Sequence, residues 1–227
     1  MPLVGSCGWC DAGGMRDRPG ARPPKGIRRR ARLVIAEQLG DPVANRVIAQ
    51  ADRSYPDVAG RLPPSGRGAR HLMRMGSYAI ALLDALVDCA VEPQAASGLI
   101  SDAVFAAIRP SRDALTVLGR LRSRDRLRRA AWTSGIARRF YYSTPDWVME
   151  DVPVAGGFGM DVTRCIVAEF FDSLGMGELC QQVICDQDER DAAYRGIVFK
   201  RTGTLAGGAD RCDFRYHLES AVVEPHT

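Results

Sequence analysis

Lysine is nearly missing from this chain. Lys25 and Lys200 are its two lysines, although it carries 31 Lys+Arg and 27 Asp+Glu over 227 residues. Arginine is therefore the default cation, and an arginine on a helix face carries little information by itself. Histidine is nearly as scarce, with His71, His217 and His226. That leaves few partners for a nucleophile–histidine dyad. No apolar run approaches the ~20 residues needed to cross a bilayer. The opening stretch MPLVGSCGWCDAGGMRDRPG lacks the apolar core of a signal peptide. These absences predict a cytoplasmic protein with no membrane partner. The patterns G-x-x-x-x-G-K-[ST], H-E-x-x-H and G-x-S-x-G are also missing. The G-F-G at residues 157–159 has neither the third glycine nor the βαβ setting of a dinucleotide site.

Hydrophobic residues make up 46% of the chain, enough for a sizeable core. The seven cysteines are Cys7, Cys10, Cys89, Cys165, Cys180, Cys185 and Cys212. An odd count in a reducing compartment predicts free thiols rather than disulfides. Four of them fall between residues 165 and 212. Charge is uneven: residues 1–140 hold 24 Lys+Arg against 12 Asp+Glu, and the remainder holds 7 against 15. A basic half raises the question of nucleic acid. The arginines are spread over several helix faces, however, and RLRSRDRLRR reads better as a solvated surface. Nucleic-acid binding is disfavoured.

Residues 1–26 read as a flexible leader rich in Gly, Pro and Arg. Its CGWC has no βαβ unit after it, which argues against redox chemistry there. Residues 27–220 are expected to form one α+β domain, mainly helical over 27–135, with the sheet and the site over 136–220. Residues 221–227 read as a tail. Helical spacing runs over 28–51 with a break near residue 40, then over 69–91 and 97–108, the last ended by Pro110. A further helix is expected from Ser111, as N-cap, to Ala131. FYYSTPDWVMEDV reads as a strand, and AGGFGMDVTRC as a turn into a second strand or a helix entry. TRCIVAEFFDSLGM reads as a helix carrying Cys165 and stopped by Gly175. GELCQQVICDQDERDAAY reads as a helix broken near Cys185. RGIVFKRTGTL and RCDFRYHLES form a hairpin around AGGAD. A helical layer followed by a mostly antiparallel sheet with helices is an α+β arrangement.

The thiols lie beside carboxylates. On a strand, Cys212 and Phe214 share one face, while Asp213 and Arg215 share the other and His217 points away from Cys212. On a helix, Cys185 and Asp188 are i and i+3 neighbours. Arg201 and Thr204, across the hairpin from Cys212, could offer a cation and a hydroxyl to a substrate carboxylate, and an arginine there would lower a thiol pKa. Blander readings stay open. The spacings 15, 5 and 27 among Cys165, Cys180, Cys185 and Cys212 lack the C-x₂₋₄-C knuckle of structural zinc. All four could be packing thiols, and Asp188 and Asp210 could serve a helix cap and a turn.

The set Cys185, Asp188, Arg201, Thr204, Leu205, Gly208, Asp210, Cys212, Asp213 and Phe214, with TRCIVAEFFDSLGMGEL upstream, resembles the L-2-amino-thiazoline-4-carboxylic acid hydrolase family over about residues 140–217. The resemblance implies a cysteine-dependent hydrolase that acts on a non-peptide C–N bond of a small cyclic amidine or isothiourea. In the family reaction the thiazoline ring becomes an N-carbamoyl-cysteine. It implies Cys212 or Cys185 as nucleophile, Asp188 or Asp213 as acid–base, and Cys165, Arg201 and Thr204 around a substrate bearing a carboxylate. No metal or organic cofactor is implied, and a homo-oligomer is compatible with it. Two other readings stay open. One is a ring-forming or ring-opening cyclase or transferase on a specialised biosynthetic intermediate. The other is a non-catalytic module that binds a ligand or zinc.

Overall fold

A computed structural model describes residues 21–218. The CGWC stretch and His226 lie outside the described residues. Five helices come first: α1 (Lys25–Leu39), α2 (Asp41–Ala59), α3 (Arg67–Asp88), α4 (Pro93–Arg122) and α5 (Arg126–Phe140). Strands β1 (Trp147–Val152) and β2 (Gly157–Cys165) follow. Then come α6 (Ile166–Asp172), α7 (Gly177–Cys180), a π-helical turn Gln181–Cys185, and α8 (Gln187–Tyr194). Strand β3 (Val198–Lys200), a 3₁₀ turn Leu205–Gly207 and β4 (Cys212–His217) close the chain. The fold is α+β, with the helices N-terminal and a four-stranded antiparallel sheet, order β1-β2-β4-β3, towards the C-terminus.

The outer helices pack because their apolar positions recur on one side. On α2, Ala44, Val47, Ala51 and Tyr55 are all buried, following the 3.6 period, whereas α3 is buried on every side from residue 75 to 82. Gly40, at φ +85°, breaks α1 from α2 with a backbone that favours glycine. Tyr55 and Tyr78 meet edge to face, with ring centroids 5.8 Å apart. The buried Tyr78 hydroxyl donates to Asp52 Oδ1 at 2.9 Å, which satisfies its polar end. Helices and sheet region are joined at Gly76, where a Cβ would come within 2.8 Å of the Phe171 ring on α6. The missing side chain lets that ring, fully buried, lie against α3.

Four sequence expectations are corrected. Pro110 does not end a helix, since the 30-residue α4 runs through it to Arg122. Ser111 is therefore not an N-cap. Its hydroxyl donates back to the Ile108 carbonyl at 2.7 Å, the mid-helix habit of serine. The break falls instead after Arg122, where Asp125 caps α5 by accepting from the amides of Leu127 (2.8 Å) and Arg128 (3.1 Å). Phe140 and the two tyrosines after it are not strand; α5 ends at Phe140 and β1 begins at Trp147. Cys165 ends β2 rather than lying within a helix.

The sheet register places the site. Val162 pairs with Cys212, Met160 with Phe214 and Phe158 with Tyr216. Alternation puts all six on the face turned to the helices. The Phe158 and Tyr216 rings stack at 4.6 Å.

Candidate active site

Between that sheet face and helices α4, α5 and α8 lies a cavity of about 170 Å³. Most of its wall is apolar, including Leu72, Met75, Ile108, Trp147, Phe158 and Phe214. The polar groups on it are few. They are three thiols (Cys165, Cys185, Cys212), two carboxylates (Asp188, Asp191) and the arginines Arg112, Arg138 and Arg195, with Tyr142, Tyr216, Ser134 and Gln187. An apolar pocket with a few convergent polar groups is the usual form of a small-molecule site.

Three elements deliver the thiols. Cys212 opens β4, its side chain on the same face as Phe214, and the Leu205 amide donates to its Sγ at 3.2 Å. Cys165 sits where β2 passes into α6. Cys185 ends the π-helical turn, and the Asp186 amide reaches back to the Gln181 carbonyl at 2.9 Å. Such a wide turn is common at functional sites, and here it sets Cys185 beside Asp188 in the first turn of α8.

The other sequence candidates lie elsewhere. Arg201 is behind the cavity wall. It donates to the Cys185 carbonyl at 3.0 Å and to Asp186 Oδ1 at 3.2 Å, with Asp188 Oδ2 at 4.0 Å. Its guanidinium also lies over the rings of Phe199 and Phe214. Thr204 caps the 3₁₀ turn, its hydroxyl accepting from the Gly207 amide at 2.9 Å. Asp213 is on the opposite face of β4. There it accepts from the Thr202 amide and hydroxyl, each at 2.8 Å, and from the Gly203 amide at 3.0 Å. The structure thus brings Cys165, Cys185, Cys212 and Asp188 to one cavity. Arg201, Thr204 and Asp213 do not line it.

Burial dominates the electrostatics. It pushes the Cys212 thiol up to about 11, against the pull of the Leu205 amide and Arg201. It pushes Cys165 up to about 11 as well, against the Ala168 and Val167 amides. A hydrogen bond with the Cys180 thiol and burial hold Cys185 well above the ordinary thiol range. The three are therefore neutral thiols at pH 7. Burial raises Asp188 to about 6, despite Arg112 and Arg201. Its side chain keeps 30% of its surface accessible, and that surface borders the cavity. An acid tuned to this range can both give and take a proton near neutrality. Among the described residues, no group of three or more His, Cys, Asp or Glu is arranged to hold a metal ion.

Sequence reasoning missed Arg112, Tyr142, Asp191, Arg195 and Tyr216. Alternation along β4 from Cys212 and Phe214 points to Tyr216. Asp191 follows Asp188 by three residues on α8. Arg112 and Tyr142 carried no signal, because one was assigned to a helix start and the other to a strand.

A search among curated proteins found no match. The family model described as L-2-amino-thiazoline-4-carboxylic acid hydrolase matches residues 70–216. That span covers more than half of the chain, and the chain belongs to this family.

Proposed function

From its place in this hydrolase family, we propose that the chain opens a small cyclic isothiourea or amidine with Cys212 as nucleophile and Asp188 as acid–base. The observation that carries this reading is the meeting of Cys212, Cys185 and Asp188 on one largely apolar cavity. Cys212 is chosen because the Leu205 amide donates to its Sγ at 3.2 Å and its thiol lies lower than that of Cys185. Moving its proton to Asp188 in the free protein, from about 11 to about 6, costs about 7 kcal/mol. A substrate whose ring nitrogen has taken the Asp188 proton becomes a cation beside the thiol and offsets much of that cost.

The steps balance. Asp188 gives its proton to the ring nitrogen. The Cys212 Sγ–C bond forms, the C=N electron pair moves onto nitrogen, and the thiol proton passes to Asp188. The adduct collapses by breaking the ring bond, and the leaving atom takes that proton. Asp188 then removes a proton from water as its oxygen bonds the same carbon. Cys212 leaves and recovers a proton, and the carbon becomes a carbonyl. When an isothiourea keeps both nitrogens, as in an N-carbamoyl product, the bond that breaks is C–S. A purely nitrogenous cyclic amidine would lose a C–N bond.

The aromatic wall of Trp147, Phe158 and Tyr216 favours a second reading, a related enzyme on a larger biosynthetic intermediate. Product mass separates the two: hydrolysis adds one water, and ring closure does not. The deciding test is turnover of L-2-amino-thiazoline-4-carboxylic acid by the wild-type chain and by Cys212→Ser and Cys185→Ser. Full turnover by both variants sinks the thiol mechanism.

A further inference from the structure

A buried arginine in this cavity has a donor nitrogen with nothing to bind. Arg195 follows the last turn of α8, and its side chain is 11% exposed. Its Nη1 donates to Thr133 Oγ1 at 2.8 Å. Its Nε has no hydrogen-bond partner among the described residues. Its Nη2 is ion-paired with Asp191 Oδ2 at 3.1 Å. A buried donor left unpaired is costly. Burial holds Arg195 below the ordinary arginine range, and neighbouring Arg112 adds to the lowering.

The charge count in this corner is also open. Arg112 Nη1 reaches the same Asp191 Oδ2 at 3.3 Å, so one carboxylate oxygen serves two guanidinium groups. Asp188, the next acid, is taken by the amidine end of the substrate under the reading above. One positive charge is then left over, on a cavity wall, with a free Nε–H. Arg201, the sequence candidate for this task, is already engaged by Cys185 and Asp186.

We infer that Arg195, seconded by Arg112, receives the carboxylate of the substrate and so sets which end of it faces Cys212. The inference rests on the ring-opening reading for the identity of the substrate, but the binding it requires does not need turnover. An anion here would satisfy the Arg195 Nε–H and relieve the repulsion between two arginines. Charge-assisted bonds of this kind discriminate strongly against a neutral amide.

The test is calorimetric binding of L-2-amino-thiazoline-4-carboxylic acid and its 4-carboxamide to the Cys212→Ser chain, with and without Arg195→Gln. The carboxylate should bind at least ~10-fold more tightly than the carboxamide. That preference should fall to near unity in Arg195→Gln and recover in part in Arg195→Lys. Absence of a preference, failure of both probes to bind, or a preference that survives Arg195→Gln would overturn the assignment. If Arg195→Gln does not fold, phenylglyoxal labelling of the wild-type chain decides. The carboxylate should shield Arg195 and the carboxamide should not; equal shielding overturns the inference. Carboxylate preference without thiol-dependent turnover would instead sink the reaction and leave the subsite standing.

Discussion

The Leu205 amide donates to the Cys212 sulfur at 3.2 Å, so the 3₁₀ turn holds the thiol on β4 from behind. That turn is capped by Thr204, whose hydroxyl accepts from Gly207 at 2.9 Å. Thr204→Ala removes the cap and should cost about 1 kcal/mol of stability. It should also loosen the Leu205 amide and drive the Cys212 pKa above its present value near 11. Thr204→Ser should restore both. The pH profile of Cys212 alkylation separates this positioning role from a general loss of stability, because a merely weakened fold would leave the profile in place.

Cys212 and Cys185 should differ in reactivity. With Cys212 near 11 and Cys185 higher still, both are sluggish at pH 7. Iodoacetamide labelling of Cys212 should rise roughly tenfold per pH unit up to about pH 10, with Cys185 lagging at every pH. Peptide mapping by mass spectrometry reads both. Cys212→Ser should lower kcat by at least ~100-fold, and Cys185→Ser should act less. The opposite order would exchange their roles.

Under the proposed mechanism, Asp188 ties catalysis to instability. Its carboxyl is raised to about 6 in the fold from the usual ~4 of an unfolded chain. The folded state therefore holds the proton more tightly. The resulting stability is fully present below pH ~4 and is lost as pH rises through about 6. Asp188→Asn should flatten this dependence and raise stability at pH 7.5 by on the order of 2 kcal/mol. It should also cut kcat ~10²- to 10⁴-fold. Thermal melts across pH 4–8, set beside turnover, check both signs.

The helical layer was legible because apolar spacing on α3 and the Gly40 break are local signals. So was the face shared by Cys212 and Phe214, which period-2 alternation dictates and the register to Met160 and Val162 repeats. What failed was also local chemistry overridden by packing. Pro110 sits inside a 30-residue helix that packs against α1, α3 and α5, whereas a proline in isolation reads as a stop. The site was legible where its residues are close in sequence, as with Cys185 and Asp188. It was illegible where partners come from afar, as with Arg112, which lies 79 residues from its partner Asp191. In a chain with two lysines and abundant arginine, nothing marks which arginine faces a cavity. Proximity across the hairpin suggested Arg201, and the fold uses it instead to brace the Cys185 turn.

Asp213 offers the sharpest contrast with Asp188. Burial acts to raise its carboxyl, but hydrogen bonds from the Thr202 hydroxyl and amide and the Gly203 amide outweigh this and hold it below the ordinary value. A depressed carboxyl contributes stability that is present above the unfolded pKa and lost as pH falls through the folded one. Asp213→Asn should therefore destabilise the chain at pH 7 by about 1 kcal/mol and remove part of its acid sensitivity below pH 4. Because the side chain lies on the face of β4 turned away from the cavity, kcat should stay within about threefold of wild type. A loss of kcat matching that of Asp188→Asn, in a variant that melts normally, would move the acid–base role to Asp213. It would also require the Thr202–Gly203 loop to rearrange during turnover, because its present contacts commit both carboxylate oxygens to that loop.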